Sequence, residues 1–263
     1  MKDLRRATML AVAAGLIAAP LAFAQPNPEE FKCEQAVSKA GAKFVSAKAK
    51  CVDKCLKNFW KGLVPESDCL PPYGGATLNA CITDTVLGLK GAEDKFRTSI
   101  QKACDPGFKA GTDCPECYNS GDCSAGAFAG DQVQNIEGQI DSFVPGVACE
   151  RTGAAKEEQA CQSNTAKALS KQVGSVVKCY DKCKKNAFKG LFPASNCDPP
   201  TSDPATATCV STANNKAILA VNKKCGDIGA DPDNCGSPYP SGADWVNLVD
   251  IAISGQIPVT YCE

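Results

Sequence analysis

The sequence predicts an all-α protein made of two tandem homologous, disulfide-stapled helical-hairpin domains, each with a Gly/Pro/Asp-rich segment and a short third helix. Three observations carry this. The stretch CVDKCLKNFWKGLVPESDC, Cys51 to Cys69, recurs as CYDKCKKNAFKGLFPASNC, Cys179 to Cys197. Apolar residues and cysteines ahead of each copy recur every three or four positions, the period of a helix with one buried face. The chain holds 18 cysteines and no histidine.

The N-terminus, MKDLRRATMLAVAAGLIAAPLAFAQ, has basic Lys2, Arg5 and Arg6, an apolar run, and Ala22 and Ala24 flanking Phe23. This pattern predicts a secretory signal over 1–24, cut before Gln25. No later stretch has the apolar length of a membrane span, so no transmembrane segment is expected after cleavage. All the cysteines, Cys33 to Cys262, lie beyond the cut. Disulfides persist outside the reducing cytosol, so the expected location is periplasmic, extracellular or at the cell surface. An even count there reads as nine bridges.

The repeat sets the domain boundaries at 25–150 and 151–263. Cys33, Cys51, Cys55, Cys69 and Cys81 align with Cys161, Cys179, Cys183, Cys197 and Cys209. The second copy is then seven residues shorter, so Cys104 aligns with Cys225 and Cys114 with Cys235. The ends agree as well, GQIDSFVPGVACE against GQIPVTYCE, which aligns Cys149 with Cys262. Internal self-similarity of this kind marks a duplicated unit.

The first helix of copy one is written in Cys33, Val37, Ala40, Phe44, Ala47, Cys51, Cys55 and Phe59, with Lys39, Lys43, Lys50, Lys54, Lys57 and Lys61 largely off that stripe. Gly62 and Gly190 suit left-handed caps, and Pro65 and Pro193 stop the helices. A loop with Cys69 and Pro71-Pro72 leads to a second helix through Leu78, Cys81, Leu89, Phe96, Ile100 and Cys104, matched by Cys209, Ile218, Val221 and Cys225. Copy one carries a longer span between Cys81 and Cys104, and Gly88 and Gly91 mark where it would break. A short third helix is expected around 133–143 and 245–253.

Nesting within a hairpin favours Cys33–Cys104, Cys51–Cys81 and Cys55–Cys69, with Cys161–Cys225, Cys179–Cys209 and Cys183–Cys197 in the second copy. Pairing Cys55 with Cys81 would fit the first copy and strain the second, so spacing leaves connectivity open. Cys117 and Cys123 occur in one copy only and are expected to pair with each other. That leaves Cys114 with Cys149 and Cys235 with Cys262.

The run FKCEQAVSKAGAKFVSAKAKCVDKC, followed by Gly-Leu-x-Pro and a further Cys, resembles the Lys/Ala-rich, cysteine-stapled helical-hairpin repeats of uncharacterised secreted bacterial proteins. The resemblance covers 31–104 and 159–225. It implies an exported repeat protein and brings no activity, cofactor or site residue with it.

Chemistry is restricted by composition. Without histidine there is no Ser-His-Asp or Cys-His catalysis, no His-ligated zinc or copper, and no c-type haem attachment. Phosphate-loop and dinucleotide fingerprints are missing. No catalytic, cofactor-binding or metal-ligating residue is therefore assigned, and the chain is read as a non-enzyme. The CPEC at Cys114–Cys117 has the spacing of a redox pair, but Cys235, the equivalent of Cys114, lacks such a neighbour, which favours two structural bridges. Cys51 with Cys55 and Cys179 with Cys183 could hold soft metal ions if reduced; an oxidising compartment opposes this. ADPDNCG, 230–236, has Cys235 where a calcium loop needs an oxygen ligand.

Charge is unevenly distributed. Residues 25–110 carry thirteen Lys and Arg against ten acids, and 151–225 twelve against five, whereas 111–150 and 226–263 carry only acids. Basic hairpins and acidic tails suggest packing within a copy, self-association, or contact between Lys-rich helices and an anionic surface or protein. The sequence-predicted function is a rigid exported scaffold or interaction module. The alternatives are a thiol-based metal or redox protein and a lipid-binding bundle of stapled amphipathic helices. Nucleic acid is not an expected partner, since the overall charge is slightly negative.

Overall fold

The computed structural model describes residues 27–73, 75–82, 91–118, 121–123, 128–147, 155–225 and 241–262. The signal region 1–24, the loop 230–236, Gly88, Cys149 and Cys235 lie outside them. Among the described residues the structure is all-helical: α1 (Pro28–Phe59), α2 (Ala76–Ile82), α3 (Ala92–Cys104), α4 (Phe128–Val147), α5 (Lys156–Phe188), α6 (Pro204–Cys225) and α7 (Gly242–Thr260). No helix there is long and apolar enough to cross a membrane.

The start of α1 is fixed locally. The Asn27 side chain accepts from the Glu29 amide at 2.8 Å, the Glu30 carboxylate accepts from the Asn27 amide at 3.0 Å, and Pro28 fills the first turn. Two of the orphan amides of a helix start are thereby satisfied. Both long helices end alike. Gly62 and Gly190 take φ of 70° and 76°, and Leu63 and Leu191 donate back to Asn58 and Asn186 at 2.9 and 3.2 Å. This is the double-bonded left-handed termination that glycine permits without a Cβ clash.

The second helix of the first copy is not continuous. Where α6 runs unbroken from Pro204 to Cys225, the first copy has α2 ending at Ile82 and α3 starting at Ala92, with Gly91 as the cap residue. Gly91 is extended ahead of α3, so a break falls at one of the two glycines where the sequence placed it. The third helices are not short: α4 and α7 have 20 and 19 residues and carry Pro145 and Pro258 inside their last turns. A proline there removes only one amide near the helix end, and apolar contacts continue to Val147 and Thr260.

Bridges hold each helix pair. Cys33 is bonded to Cys104, Cys51 to Cys81 and Cys55 to Cys69; Cys161 is bonded to Cys225, Cys179 to Cys209 and Cys183 to Cys197. The remaining sequence-predicted pairs need correction. Cys123 is bonded to Cys114, not to Cys117, so Cys114 is also unavailable to Cys149. Cys262 is bonded to Cys117, not to Cys235. The reason is tertiary: the end of α7 packs beside residues 114–118, where the Tyr118 hydroxyl donates to the Thr260 carbonyl.

The cysteines do not all face the core. Cys33, Cys51, Cys55 and Cys104 are buried, but Cys81 and Cys209, at equivalent repeat positions, are exposed. Their bridges cap the hairpin from its solvent side. The core itself lies on both sides of α1. Phe44, Phe96 and Ile100 fill the α1/α3 contact, and Leu169, Val177, Trp245 and Val249 the α5/α7 contact.

The two long helices pack against each other, antiparallel. Phe31 stacks on Phe188 with ring centroids 4.3 Å apart, Ser38 donates to Asp181 at 2.5 Å, and Ser163 donates to Asp53 at 2.5 Å. α4 runs parallel to α1, with Ile136 beside Gly41 and Val144 in the cluster of Cys51, Val52 and Leu56. α7 runs parallel to α5, Gln172 meeting Val246 and Tyr180 meeting Ser254.

Candidate functional site

Between these four helices lies an elongated apolar cleft. Its floor is the α1/α5 seam, with Ala42, Val45 and Ala49 on one side and Ala166, Ser170 and Val173 on the other. Small residues there keep the helices close and the floor shallow. α4 supplies one wall through Ile136, Ile140, Phe143 and Val147, and α7 the other through Val249, Ile253 and Ile257. These positions recur every three or four residues, so each wall is one face of an amphipathic helix.

The cavity volume is about 170 Å³, the scale of an apolar cavity that stays dry and takes up a small hydrocarbon. Gln139-Ile140 of α4 and Gln256-Ile257 of α7, each from a GQI triplet in the sequence, line opposite walls. Among its polar lining residues is Gln162, 4 % exposed, whose Oε1 has no hydrogen-bond partner among the described residues. A buried acceptor without a donor costs about 1–3 kcal/mol, which a ligand hydroxyl or a water would relieve.

The α4 wall is bolted down by buried charge. Lys48 is fully buried and reaches Glu137 at 2.6 Å and Asp141 at 2.7 Å. The Tyr73 hydroxyl donates to Asp141 at 2.5 Å, and the Lys48 ammonium lies 5.0 Å from the centre of the Tyr73 ring. Burial and the Asp141 carboxylate push the Tyr73 phenol upward. Glu93 of α3 is pushed up to about 7, first by burial and then by the charge and hydrogen bond of Glu137; Arg97 and Lys48 pull the other way. This cluster realises packing of a basic hairpin on an acidic tail within one copy.

The other wall is anchored through its end. Asp181 accepts from Ser38 and from the Tyr261 hydroxyl, joining α5, α1 and the end of α7. Burial raises Asp181 above the usual carboxylate range, and the two hydroxyls oppose that rise. Lys184 is held by Asp198 at 2.6 Å and sits 5.7 Å from the Tyr261 ring centre.

The thiol candidates are differently placed. Cys51 and Cys55, Cys179 and Cys183, and Cys114 and Cys117 each belong to separate bridges. Cys33, Cys104 and Cys123 bring their sulfurs within 4.8 Å of one another, but all three are oxidised. No described cysteine is free, so none of them offers a thiolate for metal or exchange chemistry.

Sequence periodicity located the apolar stripe of α1 but not its second buried face of Glu34, Ser38, Gly41, Lys48, Val52 and Leu56. Glu34, Ser38, Gly41 and Lys48 read as a polar face because they are small, polar or charged, and Val52 and Leu56 lie off the cysteine stripe. The signal that could have found the cleft is the pair of GQI triplets, which place equivalent residues on two equivalent helices. Comparison with protein-family models, curated proteins and solved structures finds no match to this chain.

Proposed function

We propose that the protein is an exported, non-catalytic binding scaffold in which two tandem duplicated helical hairpins, braced by disulfides, hold an apolar ligand between them. The observation that carries this reading is the cleft: four helices leave an apolar slot instead of closing on it. The bridges support the role. They brace the α1/α3 and α5/α6 pairs beside it, so that the pairs need not collapse to fill the space, and they limit the unfolded chain. The absence of histidine and of recognisable catalytic motifs supports a binding rather than a catalytic role, and the disulfides support an oxidising location.

The test is a titration of the mature, oxidised protein with the neutral apolar fluorophore N-phenyl-1-naphthylamine. Saturable binding with one site per chain is expected. Val173→Trp, which places an indole over the floor, should abolish it while the far-ultraviolet circular dichroism stays helical. Absence of saturable binding by the folded wild type overturns the reading, as does equal binding by the variant.

A further inference from the structure

The lining of the cleft is apolar surface with a few polar groups, and every serine among them is engaged. Ser38 donates to Asp181, Ser163 to Asp53, and Ser170 to the Ala166 carbonyl. Among the described residues Asp53 is the one charged side chain of the lining, and Lys57 reaches it at 2.6 Å. The cleft therefore offers no uncompensated charge, and an ion entering it would lose water without gaining a partner. Gln139 and Gln256 are only half-buried.

Gln162 differs from all of these. It lines the cleft, it is 4 % exposed, and its Oε1 has no hydrogen-bond partner among the described residues. Its neighbour Ser163 bonds Asp53, which sets this end of the cleft beside the C-terminal part of α1. There Val52 and Leu56 pack with Val144 of α4. Folding has already stripped the Gln162 oxygen of water, so a ligand that donates to it gains a hydrogen bond without first displacing one. A lone polar group of this kind orients what enters an otherwise apolar site.

Size narrows the ligand further. The cavity of about 170 Å³ is close to the engineered apolar cavity of about 150 Å³ that takes up benzene. The space suits a single ring and leaves little beyond it.

Building on the proposed apolar-ligand reading, we infer that the ligand is a small neutral hydrophobe, about one ring in size, with a single hydrogen-bond donor that Gln162 receives. A phenol hydroxyl and a pyrrole-type N–H share this chemistry. The walls supply the affinity, and Gln162 supplies orientation and choice. In an apolar cavity without such an acceptor a phenol binds less well than toluene, because its hydroxyl is buried unpaired. The Gln162 oxygen removes that penalty.

Isothermal titration of the mature, oxidised protein with phenol, toluene and benzoate at neutral pH tests this. Phenol should bind at least as tightly as toluene, and benzoate about tenfold more weakly than either. Gln162→Met keeps the length of the side chain without the acceptor. It should weaken phenol about tenfold and hold toluene within about twofold, the size of one buried hydrogen bond. Toluene binding then reports that the variant is folded with its cleft intact. Gln162→Leu repeats the comparison with a shorter side chain, and the order of phenol and toluene in the wild type is a test independent of both variants. Phenol weaker than toluene in the wild type, or an unchanged phenol-to-toluene ratio in the variants, overturns the Gln162 assignment and leaves the cleft standing. Benzoate binding as tight as that of phenol overturns the neutral ligand. Failure of both neutral rings while N-phenyl-1-naphthylamine binds overturns the one-ring size. Failure of the fluorophore as well overturns the cleft reading itself.

Discussion

Asp53 of α1 and Asp181 of α5 hold the same place in the two Cys-x-Asp-Lys-Cys sequences, and each accepts a serine hydroxyl from the opposite helix. The antiparallel seam is thus tied at both ends by equivalent carboxylates. The ties differ in burial. Asp181 is buried and also receives the Tyr261 hydroxyl, whereas Asp53 also faces Lys57 on the surface.

That difference predicts unequal losses. Asp181→Ala strands two hydroxyls and should cost about 3 kcal/mol, the scale of hydrogen bonds to a charged, buried acceptor. Asp53→Ala should cost about 1 kcal/mol, since its partners regain water. Urea midpoints with unchanged slopes would measure both. Equal losses would mean that burial of the Asp181 end contributes nothing.

Lys48 gives a second prediction. Removing a buried cation leaves Glu137 and Asp141 uncompensated beneath α4, so Lys48→Met should destabilise by about 3–5 kcal/mol. Neutralising the acids as well, in Lys48→Met with Glu137→Gln and Asp141→Asn, should recover most of the loss, because the cost is that of unpaired charge. If the triple variant is no more stable than Lys48→Met, the lysine acts by its shape and not by its charge.

The same cluster makes stability depend on pH. Glu93 is raised from 4.5 to about 7 by burial, with Glu137 adding to the rise, so the folded protein holds its proton more tightly than the unfolded chain. Its contribution is fully present below about pH 4.5 and is lost as pH rises through 7. Allowing for solvent screening at a half-buried site, the loss is about 1–2 kcal/mol between pH 5 and 8. Glu93→Gln should flatten this segment of the profile. An unchanged profile in that variant would place the titration elsewhere.

Local rules made part of this molecule legible. The helices of α1 and α5 follow from a stripe of cysteine and apolar residues, their ends from Gly62 and Gly190, and the interruption near Gly91 from the unequal Cys81–Cys104 and Cys209–Cys225 spans. The seam was hidden because Gly41, Ala42, Ala49, Ala166 and Ser170 are too small to register as an apolar face. Lys48 was hidden because a lysine on a lysine-rich helix reads as solvated, and only the arrival of Glu137 and Asp141 from α4 shows otherwise. The cleft depends on four helices whose mutual placement no local pattern encodes.

The bridge between Cys117 and Cys262 shows the same limit and gives the last prediction. In sequence, Cys117 and Cys123 are the two unmatched cysteines and pair most simply with each other; in space, Cys117 meets the end of α7, beside the bond from Tyr118 to Thr260. Digestion of the oxidised protein without reduction should therefore yield a peptide joining the 117 and 262 segments. Cys117→Ser with Cys262→Ser should cost about 2–4 kcal/mol, since this crosslink closes a long loop. It should also speed hydrogen exchange at the end of α7 more than in α6, because the bridge anchors α7 there and α6 keeps its own bridges to α5. A peptide joining 117 to 123 would instead restore the sequence-predicted pairing and release the end of α7 from the first cysteine-rich segment.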